Sequence, residues 1–107
     1  MDRPLSRGAA VRVLAELFEG VESVSPYGGQ AISWEPLGPV WLKTGKRRRR
    51  EKTDVAGTRT TEFLTGEARA DPRLTLGRVL RFGGADWRIA GCETVGGHAI
   101  LTLERAS

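Results

Sequence analysis

Between Lys43 and Lys52 the chain reads Lys-Thr-Gly-Lys-Arg-Arg-Arg-Arg-Glu-Lys, the most chemically pointed stretch it contains. Seven basic side chains, Lys43, Lys46, Arg47, Arg48, Arg49, Arg50 and Lys52, stand there with one acid, Glu51. Charge packed so densely cannot be buried without anionic partners, so it must face water or a polyanion. Arginine suits phosphate, because its planar guanidinium offers forked donors and keeps its charge at any physiological pH. Each phosphate neutralised on duplex DNA releases condensed counterions, which makes such contacts blind to sequence and steeply salt-dependent. No aromatic residue interleaves the run, which argues against a single-strand binder that stacks bases. The bland alternative is a solvated loop with no partner.

Other chemistry finds little support. Nucleophilic catalysis with a histidine base would have to use His98, which follows Gly96-Gly97 where a hairpin tip is expected, and an exposed turn histidine explains it better. Glu16, Glu19, Glu22, Asp54, Glu62, Glu67 and Asp71 are scattered, with no compact acid pair for a nuclease metal site. Gly45-Lys46 lacks the upstream glycine of a P-loop, and no Ser or Thr follows the lysine. One cysteine, Cys92, excludes an internal disulfide, and with one histidine it leaves too few soft ligands for structural zinc. Its apolar setting, Trp87-Arg88-Ile89-Ala90-Gly91-Cys92, predicts an inert core thiol. We expect no catalytic residues, no metal and no cofactor.

The elements that hold the basic run must therefore explain it. The 107 residues suit a single domain, 1–107, with an ordinary hydrophobic content of 39%. No apolar run approaches membrane-spanning length, and Met1 to Gly8 shows no apolar stretch of signal-peptide length behind it. The formal charge of +4 is uneven: the segment 43–52 is +6 and the remainder about −2.

Residues 9–21 fit both a strand, through Val11, Val13, Ala15 and Leu17, and a helical face, through Leu14, Leu17, Phe18 and Val21. Ser25-Pro26-Tyr27-Gly28-Gly29 is a turn. Residues 31–44 read as two short strands bent by Pro36 and Pro39. Thr58 to Ala70 reads as a strand broken or bulged at Gly66. Two hairpins follow, one turning at Gly83-Gly84 and one at Gly96-Gly97. Trp41 and Trp87 are expected in the core, while Trp34 is open between core and interface. The fold class is mainly β, a small antiparallel β-barrel or sandwich, with a long basic loop at about 43–58 between strands.

The order of these elements resembles the phage head-tail joining family, the head-closure or stopper proteins, which includes gene transfer agent counterparts. The residues that carry it are Tyr27-Gly28-Gly29, Trp34 and Val40-Trp41, then Pro72, Arg78-Val79-Leu80, Gly83-Gly84, Trp87-Arg88-Ile89 and Leu101-Thr102-Leu103-Glu104. The likeness runs over roughly residues 8 to 105. Leu42 departs from it, since a small residue commonly follows that tryptophan, and so does the tetra-arginine run.

The resemblance implies a β-barrel subunit of a homo-oligomeric ring between the portal or adaptor and a tail-side connector protein. It further implies a loop projecting into the channel to retain packaged double-stranded DNA. Lys43, Lys46, Arg47, Arg48, Arg49, Arg50 and Lys52 would then form the DNA-binding channel loop, or meet an acidic neighbouring ring. The setting would be a virion or phage-like particle, at the head-tail interface, assembled in the bacterial cytoplasm without membrane contact. The alternatives are a free-standing nucleic-acid-binding β-barrel module and a generic interaction domain.

Overall fold

The computed structural model describes residues 11–106, and the N-terminal reading of Met1 to Gly8 lies outside them. Six strands follow in order: β1 (Val11–Val24), β2 (Gln30–Asp54), β3 (Gly57–Arg69), β4 (Val79–Phe82), β5 (Ala85–Val95) and β6 (His98–Ala106). All pair antiparallel, in the order β1-β2-β3-β6-β5-β4, and the pairing of β1 with β4 closes the barrel. Closure removes the edge on which open sheets aggregate.

The segment that fitted either helix or strand is β1. Its register explains why, since Val13, Ala15 and Leu17 point inward while Leu14 faces solvent, and cross-strand pairing with β2 decides between the two periods. Residues 31–44 form one strand rather than two. Pro36 and Pro39 are absorbed at a register shift opposite Leu17 and Phe18. β2 is 25 residues long, about 80 Å of extended chain, and exceeds the molecule's longest dimension of 63 Å. It therefore curls through the barrel wall and runs beyond it at both ends.

The core is built by alternation. Leu17, Leu42, Leu80, Trp87, Ile89, Leu101 and Leu103 are fully buried. Gly66 sits where the wall is tightest, since a Cβ there would stand 2.9 Å from Leu42 Cδ1 and 3.3 Å from Leu103 Cδ1. The irregularity expected at Gly66 lies across the ladder: Thr44 pairs with Gly66 and Arg47 with Leu64, so β2 carries the extra residue at Gly45-Lys46. Both C-terminal hairpins form as the sequence predicts. They turn through Gly83-Gly84 and Gly96-Gly97, all four with positive φ.

One end of the barrel is closed by the connection between β3 and β4, whose Leu74 is buried. Arg73 pins that connection, donating from Nη1 to Leu37 O at 2.8 Å and pairing with Asp71 at 2.7 Å. The guanidinium holds the Asp71 carboxyl below its usual range, first through the side-chain hydrogen bond.

Three further expectations need correction. Trp41, expected in the core, is 60% exposed, because Val40 and Leu42 take the inward positions and alternation sends the residue between them outward. Cys92, expected as a core thiol, is exposed. A register shift between Ile89 and Gly91 ends the alternation that buries Trp87 and Ile89, and β5 leaves the core beyond it. Finally, the basic connection is not an irregular loop over 43–58. It is a two-stranded ribbon, the end of β2 paired with the start of β3, and the turn shrinks to Val55-Ala56.

Candidate nucleic-acid interface

A strand sends neighbouring side chains to opposite faces, so the basic run is divided in two by the backbone that carries it. Arg47 pairs across the ladder with Leu64 and Arg49 with Glu62, and both Leu64 and Glu62 are buried. Arg47 and Arg49 therefore lie on the face that continues the core. Arg48, Arg50 and Lys52 lie on the other face, opposite Phe63, Thr61 and Arg59.

The inner pair is engaged. The Arg47 guanidinium stands 5.5 Å from the centroid of the Trp87 ring, and Arg105 stands 5.2 Å from the same ring, so two cations cap the buried indole. Phe82 stacks on Trp87 as well, at 6.0 Å. Arg49 Nη2 donates to Glu62 Oε2 at 3.3 Å, and Arg105 Nε donates to Glu62 Oε1 at 2.8 Å. Glu62 is thus a buried carboxylate with a guanidinium on each oxygen. The Arg105 hydrogen bond, ahead of Arg49's, holds its carboxyl below the usual range against the opposing effect of burial. The two partly exposed guanidinium groups supply the cationic partners that the buried carboxylate requires.

The outer face carries free charge. Arg50 lies over the half-buried Phe63 ring at 5.3 Å and is itself exposed. Among the described residues no carboxylate forms an ion pair with Lys46, Arg48, Arg50, Lys52 or Arg59. Beyond Thr61 the ribbon also leaves its neighbour β6, whose pairing with β3 begins there. The outer row therefore starts on the barrel wall, at Arg48 and Arg50, and runs onto a projection held by β2 and β3 alone, at Lys52 and Arg59, a basic arm.

Of the seven residues singled out in the sequence, the structure gathers Arg48, Arg50 and Lys52 into this row, with Lys46 at the bulge. Lys43 sits apart on the barrel wall, opposite Glu67. Arg47 and Arg49 are structural. Sequence reasoning missed Arg59, which pairs with Lys52 across the ladder and extends the row onto β3. Its signal was the strand pattern of Thr58 to Thr65, read together with a hairpin instead of a loop.

No group of three or more His, Cys, Asp or Glu side chains is placed to hold a metal ion among the described residues. No helix there is long and apolar enough to cross a membrane.

No protein-family model matches the sequence, and no curated protein does. Solved structures share the fold. A chain in the virion of a native gene transfer agent particle superposes with a TM-score of 0.71 at 21% identity, over 94% of this chain and 98% of that one. The phage-like element PBSX protein xkdH from Bacillus subtilis superposes with a TM-score of 0.61 at 10% identity, over 90% and 95%. At such identities the likeness establishes a common architecture.

Proposed function

We propose that this chain is a structural protein of a phage-like particle, a head-tail connector of the head-closure or stopper kind. It forms a homo-oligomeric ring between the portal or adaptor and the tail, and retains packaged DNA in the channel through the outer face of its basic arm. The observation that carries the reading is the row Arg48, Arg50, Lys52 and Arg59, unpaired with any described carboxylate and running from the barrel wall onto a projecting ribbon. The common fold with a gene transfer agent particle chain and a phage-like element protein, over nearly the whole length of each, supports the particle setting.

The mechanism is electrostatic and needs no reaction. A two-stranded ribbon holds its cations at fixed spacing, so less side-chain and backbone freedom is lost on meeting the phosphate backbone than from a mobile loop. Four contacts per subunit would give a slope of log affinity against log salt near −0.9 for each, and a ring multiplies the effect. Non-specific contacts of this type hold DNA without locking its register, as a channel that must later release the genome requires.

The test replaces Arg48, Arg50, Lys52 and Arg59 with alanine and leaves Arg47 and Arg49 in place, since those two stabilise the barrel. Particles carrying the variant should assemble yet lose packaged DNA. The isolated variant should bind duplex DNA more weakly and with a flatter salt dependence. Full DNA retention by particles containing the variant would overturn the channel role.

A further inference from the structure

β2 extends beyond the barrel at its other end too, and the chemistry there is the reverse. The β1–β2 hairpin from Val21 to Glu35 contains Glu22 and Glu35 and no basic residue. It exposes Val24, Tyr27, Ile32 and Trp34. Ile32 and Trp34 lie flat over Gly20, where a Cβ would come within 3.2 Å of Ile32 Cγ2 and 3.3 Å of the Trp34 ring. With Leu76, itself exposed, they line a shallow groove bordered by Glu22 and by Glu19, the latter paired with Arg78 of the same groove, so that Glu22 and the nearby Glu35 set its sign. Large apolar side chains grouped within an acidic rim mark a contact surface, since scattered ones would need no explanation.

A second apolar patch occupies the barrel wall. Leu14 and Trp41 face each other across the β1–β2 ladder and are 54% and 60% exposed. The next rung on the same face is Arg12 opposite Lys43, and Arg69 lines the same depression as Trp41 and Lys43. Of the acids lining this depression, Asp71 is paired with Arg73 and Glu67 stands opposite Lys43, which leaves Arg12 and Arg69 as basic side chains in excess. The rim of this patch is therefore positive where the rim of the hairpin is negative.

We infer that the Ile32–Trp34 hairpin of one copy docks on the Leu14–Trp41 wall of the next, with Glu22 and Glu35 against Arg12 and Lys43. The two patches are different surfaces of one chain, so the contact is head-to-tail and propagates around a ring. Two exposed tryptophans become the central anchors, and the charges of opposite sign set orientation. This deepens the homo-oligomeric part of the proposed function and rests on it, while leaving the basic arm free for DNA.

The experiment follows the three indole N–H signals by NMR from about 10 μM to about 1 mM, with sedimentation on the same samples. The signals of Trp34 and Trp41 should move together with concentration while that of buried Trp87 stays. Glu22→Lys and Lys43→Glu should each weaken self-association about tenfold, and the double variant should regain most of it. Signals that hold still in a protein that remains monomeric at 1 mM would overturn the inference and assign the patches to other particle proteins. Association that the paired reversal fails to restore would equally overturn it. Duplex-DNA binding by the same variants reads the basic arm separately, so a failure here and a failure of the DNA role are distinguishable.

Discussion

Arg48 and Arg49 are adjacent in the chain and do opposite work. Arg49 points to the core side of β2 and meets the buried carboxylate of Glu62 at 3.3 Å, whereas Arg48 points away from it on the ribbon's outer face. A run of four arginines is thereby divided between the two faces of one ribbon.

Glu62→Gln should lower the thermal midpoint more than Arg49→Ala, measured by circular dichroism. The glutamine keeps the shape but removes the charge that both Arg105 and Arg49 face, leaving two guanidinium groups without their anion. Arg49 is 67% exposed and can turn to water when freed, so its own removal costs less. Equal midpoints would show that Arg49 carries the contact and that Arg105 adds nothing to it.

The same cluster sets an acid response. The folded-state pKa of Glu62 lies below its ordinary 4.5, so its contribution to stability is complete above that value and fades as pH falls through the lower folded value. Asp71, held down by Arg73, acts in the same direction from its ordinary 3.8. Urea midpoints measured between pH 6 and pH 3 should fall for the native chain, and Glu62→Gln should flatten the steepest part of that decline.

The C-terminal hairpins were legible because their signal is local, a glycine pair between alternating segments. The division of the basic run was not, since charge density says nothing of backbone state. A strand through Arg47 to Arg50 becomes visible only when Glu62 and Leu64, some fifteen residues on, are known to lie across the ladder. Trp41 was misplaced for a related reason: an apolar neighbourhood of Val40 and Leu42 suggested burial, but period two gives inward positions to only every second residue. Cys92 escaped because the register shift beside Ala90 has no marker beyond a glycine that could serve many ends.

Gly66→Ala should destabilise the barrel by about 1–3 kcal/mol in chemical denaturation, the range for forcing a methyl into a packed core. The new Cβ would press on the Cδ1 methyls of Leu42 and Leu103, both buried. Leu42→Val in the same chain should recover part of the loss by withdrawing the nearer methyl. A neutral Gly66→Ala would mean that the wall breathes at this point.

The two core expectations for tryptophan separate cleanly by mutation. Trp87 is 1% exposed, stacked on Phe82 and capped by Arg47 and Arg105, so Trp87→Ala should cost about 3–5 kcal/mol, comparable with removing any large core aromatic. Trp41→Ala should change the stability of the monomer by no more than about 0.5 kcal/mol, because the side chain lies on the outer wall and supports nothing beneath it. Unfolding by urea, followed in dilute protein so that association plays no part, gives both values. A loss above about 2 kcal/mol for Trp41 would place it in the core after all and would remove the wall patch on which self-association depends.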